Sequence, residues 1–372
     1  MYQIMKNIVQ YFCLVSLALV TFISCDNDSE NSFGTPELIS VTTAADLDTP
    51  ITTCNLGDWI VLHGKNLSNV SGINVNGVEV NLRNSFLESN KITLQVPRAL
   101  PEEGEPTNAI KIMDAQNSSE VSMDISIPDL IITGLDNEWA AIGDTVKING
   151  ANFDIYDVTV EDGQVSFGNT SAVITESAVD YIKIVIPTGA MKRDQVKIQT
   201  KTGIVSVPGP YCDDRNLFEG FEGGFGWAGT DDFVTDGTNA GDVAACNGKY
   251  LRISRMHNGE WFAFIANGYV WPAEMWNHPE EWCLKFEIVT QEPINEKFIQ
   301  FDQTKYQWKP WAATEFNTYG KWRTIRLEMT DVLLNGYIQD PDAGFLFQLS
   351  LNGGSDEMVD FGLDNFRLYH KE

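Results

Sequence analysis

The chain has 372 residues, and its 25 Lys plus Arg stand against 52 Asp plus Glu, a formal net charge of −27. That excess repels polyanions and makes nucleic acid and acidic glycans electrostatically unfavourable partners, while a neutral ligand meets no such penalty. The length suffices for two to three domains of ordinary size.

Lys6 precedes an apolar stretch from Ile8 to Ile23, which ends in Ser24 and Cys25. The stretch is short for a membrane span, and a polar run follows at once, so residues 1–24 read as a secretion signal. The segment "TFISC" resembles the lipobox of bacterial lipoproteins, which implies cleavage before Cys25 and lipidation of that cysteine; Phe22 departs from the usual residue. Residues 25–35 are acidic, lack any apolar period and read as a flexible tether. An acidic run directly behind the cysteine resembles the surface-export signal of Bacteroidetes lipoproteins, implying an outer-membrane, cell-surface, lipid-anchored protein.

Beyond the leader stand Cys54, Cys212, Cys246 and Cys283, an even number compatible with one or two disulfides in an exported chain. Cys54 is remote in sequence, so a bridge is expected between two of the three later cysteines. No Cys-x-x-Cys repeat or pair of histidines at metal spacing occurs, which argues against zinc.

From 36 to 208 short β-branched runs alternate with Gly, Asn, Asp and Pro, the texture of all-β modules. One pattern occurs twice. "LGDWIVLHGKNLSNV" is followed by "KITLQVP" and "AIKIMD", and "IGDTVKINGANFDIY" is followed by "YIKIVIP" and "QVKIQTKTG". In each copy Gly57-Asp58 or Gly143-Asp144 leads into a strand closed by Gly64-x-Asn66 or Gly150-x-Asn152. The pattern resembles the IPT/TIG family of immunoglobulin-like domains, which implies two sandwiches, 36–128 and 129–208, with Ile60, Leu62, Val146 and Ile148 facing inward. They would act as spacers. Trp59 and Trp139 are assigned to packing or inter-domain contact.

The segment "VPGPYCDDRN" marks a boundary, and a larger, aromatic-rich domain spans 209–372. Eight strand candidates, "NLFEGF", "KYLRISR", "WFAFIA", "WCLKFEIVT", "KFIQFD", "WRTIRLEM", "GFLFQLSLN" and "FGLDNFRLY", predict a jelly-roll-like β-sandwich of about eight to ten strands. The fold class is therefore all-β. Alternation is clear where Leu284, Phe286 and Ile288 point one way and polar residues the other.

Eight of the ten tryptophans lie in this last domain, several of them in the runs "NGYVWPAEMWNHPEEW" and "TKYQWKPWAATEFNTYGKW". Pyranose C–H faces stack on aromatic rings while their hydroxyls bond amides and carboxylates at the rim. Pro residues in both runs favour surface loops. Trp271, Trp276, Tyr306, Trp308 and Trp311 are thus the candidate sugar plates, with Asn277, Gln307, Lys309, Glu315 and Asn317 as polar companions. Trp261, Trp282 and Trp322 begin apparent strands and are assigned to core.

The domain resembles the C-terminal carbohydrate-binding sandwich of Bacteroidetes surface glycan-binding lipoproteins, carried by "LFEGFEGGFGW", "GKYLRIS", "WCLKFEIV", "KWRTIRLEM" and "FGLDNFRLY" behind two IPT-like repeats. The resemblance implies capture of a neutral, plant β-linked polysaccharide beside an outer-membrane transporter pair of the starch-utilisation type. No cofactor is required. Related sandwiches hold a structural calcium near their first and last strands, where Glu219 or Glu222 and Asp364 fall here. No Ser-His-Asp order or phosphate loop appears, and among 52 acids no carboxylate pair stands out, so the chain is not expected to be an enzyme. An adhesin or structural lipoprotein is the alternative.

Overall fold

The computed structural model describes residues 34–102, 106–223, 230–311, 315–333 and 345–371. The leader, Cys25, most of the tether and Trp227 lie outside them. The regular elements of the described chain are nearly all strands, and it forms two compact units, one ending at Ile127 and one beginning at Pro128.

The repeat seen in sequence is repeated in geometry. In the first unit, strand Trp59–Lys65 pairs antiparallel with Glu37–Thr43 on one side and Lys91–Gln95 on the other. In the second unit, Thr145–Ala151 pairs in the same way with Ile131–Leu135 and Tyr181–Val185. Asn66 and Asn152 both take left-handed backbone angles, φ 57° and 66°, and their amides donate to Thr35 O (3.0 Å) and Asp129 O (2.9 Å). Gly64 and Gly150 are glycine for lack of room: a Cβ would sit 2.0 Å from Glu37 O and 2.1 Å from Ile131 O. Ile60, Leu62, Val146 and Ile148 are buried, as their alternation requires.

The later part of the second unit is a two-layer sandwich of ten strands among the described residues. One sheet has six strands, with Trp282–Thr290 and the long Glu357–His370 at its centre. The other has four, in the spatial order Phe262–Tyr269, Phe345–Asn352, Phe298–Phe301, Tyr306–Trp308. Leu284, Phe286, Ile288, Phe347, Leu349 and Phe366 fill the space between them.

On the six-stranded sheet the polar set of the alternation is buried too. Lys285, Glu287 and Arg367 are 2%, 0% and 1% exposed, because the preceding immunoglobulin-like sandwich covers that face and inserts Glu138, 3% exposed. Arg367 donates to Glu138 Oε2 (2.7 Å) and to both oxygens of Glu287 (2.8 and 3.0 Å), while Lys285 Nζ donates to Glu138 Oε1. Thr324 Oγ1 donates to Glu287 (2.9 Å) and accepts from the Glu138 backbone N–H (2.8 Å). Burial penalises the charge on Arg367, but the two carboxylates outweigh that and hold its proton more tightly than usual. We call this the joint sheet and the four-stranded one the open sheet.

The expected disulfide is not formed: Cys54, Cys212, Cys246 and Cys283 are free thiols. Cys212 belongs to the second immunoglobulin-like core, Cys246 points to Asp364, and Cys283 lies on the central joint strand opposite Glu328 and Tyr369.

Removing one partner of a buried ion network leaves the other charges uncompensated, typically a loss of about 3–5 kcal/mol. Glu138→Ala should therefore lower the urea unfolding free energy of the full chain by that amount. A change under about 1 kcal/mol would show that the joint does not hold the two sandwiches together.

Candidate glycan-binding face

A sandwich has two outer faces, and the joint sheet's is covered. The open sheet's outer face is built by parity. Ile299 and Phe301 point into the core, so Gln300 between them points out, and its register partners Ser350 and Gln307 share that face, as does Ala263 opposite Ser350. Gln348 lies one pleat away from Ser350, opposite Ala266. Small residues on one strand and amides on the next three leave a shallow, hydroxyl-compatible surface.

Asp302 organises it. Its Oδ1 accepts from Gln300 Nε2 (2.7 Å) and Ser350 Oγ (2.8 Å), and its Oδ2 accepts from the indole N–H of Trp261 (3.1 Å). Ser350 Oγ also accepts from Asn352 Nδ2 (2.9 Å), and Gln307 Nε2 donates to Gln300 Oε1 (3.4 Å). Trp261 is 58% exposed and is thereby fixed at the edge of the face rather than left to swing. Trp261, Gln300, Asp302, Gln303, Lys305 and Gln348 surround a concavity of about 360 Å³. An indole plate beside amides and one carboxylate is the equipment for holding a neutral sugar.

The tryptophans singled out from the loops sit elsewhere. Trp308 (8% exposed) and the half-buried Tyr306 flank Gln307 on a strand, so both point inward; Trp308 meets Phe286 edge-on at 5.3 Å and Tyr306 meets Phe301 at 5.6 Å. Trp271 (3% exposed) bridges the sheets between Phe218 and Phe347, and Trp276 stacks on it at 5.6 Å and 22°. Trp311 is half-buried and its indole donates to Lys297 O. Trp271 and Trp308 are therefore core. The Pro-rich runs fold back to close the sandwich, where a wide gap between sheets needs large rings. Trp276, Tyr306 and Trp311 keep part of their surface and pack against that core.

The converse correction concerns Trp261, expected in the core and found outside it. Its neighbours Phe262 and Phe264 pack inward, and alternation in "WFAFIA" already places Trp261 opposite Phe262. Trp282 is core as expected (5% exposed), and Trp322 is half-buried with its N–H on Ala244 O (2.8 Å). Trp139 is packed into the second immunoglobulin-like core, whereas Trp59 is 44% exposed. Of the polar companions, Gln307 lies on the open face, while Asn317 accepts from Thr290 Oγ1 and the Tyr319 N–H. Asn277, Lys309 and Glu315 are exposed.

The residues expected to hold calcium are engaged by protein donors. Glu219 accepts from the Phe221 N–H (2.9 Å) and from Tyr269 OH, Glu222 from the Lys249 N–H (2.8 Å), and Asp364 from the Asn365 N–H (2.7 Å) and the Cys246 thiol (3.2 Å). Among the described residues the three do not bring ligand atoms to one point; only the exposed trio His278, Glu280 and Glu281 does so. Burial, with Glu287 and Glu222 nearby, pushes the Asp364 carboxyl well above the usual carboxylate range. A raised folded-state value favours the native state at low pH and loses that contribution as pH rises through it. Asp364→Asn should thus gain stability relative to the parent between pH 5 and pH 8 in urea titrations, with or without millimolar calcium. A calcium-dependent gain present in the parent and absent from the variant would support calcium at Asp364.

Comparison with known proteins places the chain. Residues 211–370 match the family model of the surface glycan-binding protein B xyloglucan binding domain, and residues 130–211 match the IPT/TIG domain. An IPT/TIG domain-containing protein of Bacteroides ovatus is 26% identical over 189 residues, 48% of this chain and 39% of that protein, so the chain spans about two fifths of its length. The crystal structure of the surface glycan-binding protein PbSGBP-B from Prevotella bryantii covers 91% of this chain and 99% of its own at a TM-score of 0.55 and 18% identity, a likeness of fold. SGBP-B from a complex xyloglucan utilization locus in Bacteroides uniformis aligns over 91% of this chain and 100% of its own, with a TM-score of 0.47 and 18% identity. An IPT/TIG domain thus leads directly into a domain that matches the surface glycan-binding protein B xyloglucan binding family.

Proposed function

We propose that the chain binds a neutral β-linked polysaccharide, in the first place a xyloglucan, along the outer face of the open sheet and does not cleave it. The observation that carries this reading is Trp261, exposed and pinned by Asp302 beside a row of amides. The match of residues 211–370 to a xyloglucan-binding family supports the choice of glycan. Glycoside hydrolysis needs two carboxylates about the scissile bond. Asp302 is the one carboxylate lining the concavity among the described residues, and three hydrogen bonds engage it. We further propose that Cys25 is lipidated, that the protein stands on the cell surface, and that it passes captured glycan to an outer-membrane transporter pair of the starch-utilisation type. The leader's resemblance to a lipobox and the match of residues 211–370 to a surface glycan-binding family support those steps.

A stacked aromatic plate is worth roughly 1–3 kcal/mol by analogy with bases on aromatic side chains. At about 1.4 kcal/mol per decade, Trp261→Ala should weaken binding of a xylogluco-oligosaccharide roughly 5- to 100-fold in isothermal titration calorimetry. Unchanged affinity would remove the platform. New reducing ends on incubation with xyloglucan would overturn the non-catalytic reading.

Trp308→Ala should behave in the opposite way. Truncating a buried Trp costs about 3–5 kcal/mol of stability, while the folded fraction should bind the oligosaccharide within about twofold of the parent. Loss of affinity at full stability would instead make Trp308 a ligand plate.

A further inference from the structure

The first unit carries an aromatic that its fold does not need. In the repeated hairpin, Asp58 and Asp144 do the same work: Asp58 accepts from the Asn55 N–H (2.8 Å) and Asp144 from the Ala141 N–H (3.1 Å). The next residue is Trp59 in one copy and Thr145 in the other, both exposed at the start of the central strand. A hairpin that accepts threonine there does not require an indole for its core. Trp59 is nevertheless 44% exposed, and it borders a concavity of about 480 Å³ lined by residues of the first unit alone.

The composition of that concavity specifies its ligand. Its floor is apolar, with Ile51, the buried Ile60 and the thiol of Cys54. Burial, with Asp58 and Asp124 close by, pushes the thiol up to about 11, so the floor is uncharged at neutral pH. Its rim holds Asn55, Asp58, Asp124 and Ser126, oxygens and an amide suited to hydroxyl groups. No Lys or Arg lines it, and the two carboxylates repel anions. The volume falls within the range that takes small ligands. We propose that this concavity is a second carbohydrate-binding site, taking a neutral pyranose unit with one sugar face on the Trp59 indole and its hydroxyls donating to Asp58 and Asp124. This goes beyond the open-sheet reading and does not rest on it.

The test uses the full chain labelled with 5-fluorotryptophan, with Trp59→Phe and Trp261→Phe assigning the two fluorine signals. Cello-oligosaccharide and xylogluco-oligosaccharide are titrated to millimolar concentration, with tetramethylammonium as a cationic control. The Trp59 signal should shift with saturation, keep doing so in Trp261→Ala, and need at least fivefold more sugar in Asp124→Ala. A Trp59 signal that stays still while Trp261 moves overturns the second site and leaves the open face standing. A Trp59 signal that moves while Trp261 stays still supports the second site and removes the open face. Stillness in both, or a response of Trp59 to tetramethylammonium alone, sinks this proposal.

Discussion

Arg367 is the fixed point of the second unit. A guanidinium at 1% exposure is tolerable only with its charge answered, and here Glu287 of the same sheet and Glu138 of the neighbouring sandwich answer it. Neither sandwich alone supplies both carboxylates, so the charge is compensated only when the two are docked. Gly209 completes the arrangement: with φ at 83°, a Cβ there would lie 2.5 Å from Lys285 Nζ and 2.9 Å from Glu138 Oε1. Its N–H donates to Tyr369 OH (3.1 Å), and Lys285 lies 4.0 Å from the Tyr369 ring centre. The connecting segment is therefore part of the joint and not a free linker.

What this joint covers decides what remains for ligand. The six-stranded sheet would expose a row of charges if it faced water, and it instead spends them on docking. The four-stranded sheet keeps its amides for solvent. Its hydrogen bonds to Asp302 orient side chains that would otherwise have to be ordered if glycan binds there as proposed, a saving in side-chain entropy that would favour affinity.

Most of the architecture was legible in the chain. Asn66 and Asn152, each directly after the strand that its Asp leads into, gave away the repeat because only a few residue types accept that backbone geometry. Alternation in "CLKFEIV" correctly set Leu284, Phe286 and Ile288 inward, but it could not say that Lys285 and Glu287 would be covered, since Lys285 meets Glu138, 147 residues away, and Glu287 meets Arg367, 80 residues away. The burial of Trp271 and Trp308 escapes the sequence for a local reason. Pro and Asn around Trp271 and Trp308 argue for loops, and loops argue for surface, yet these segments return across the sandwich edge and place their rings between the sheets. Trp261 was misassigned by treating the start of a strand as core, where period-two parity with Phe262 points outward. The thiols remain unpaired because each is placed by a different packing demand, which cysteine counting cannot see.

The buried joint also bears on mechanics. A long polymer bound on the open sheet as proposed would pull on strands whose neighbours in the sandwich carry Arg367 and Lys285. Tension is handed across the joint as several charge-assisted hydrogen bonds loaded together, so the two sandwiches respond to a tug as a single stiff lever rather than as beads on a string.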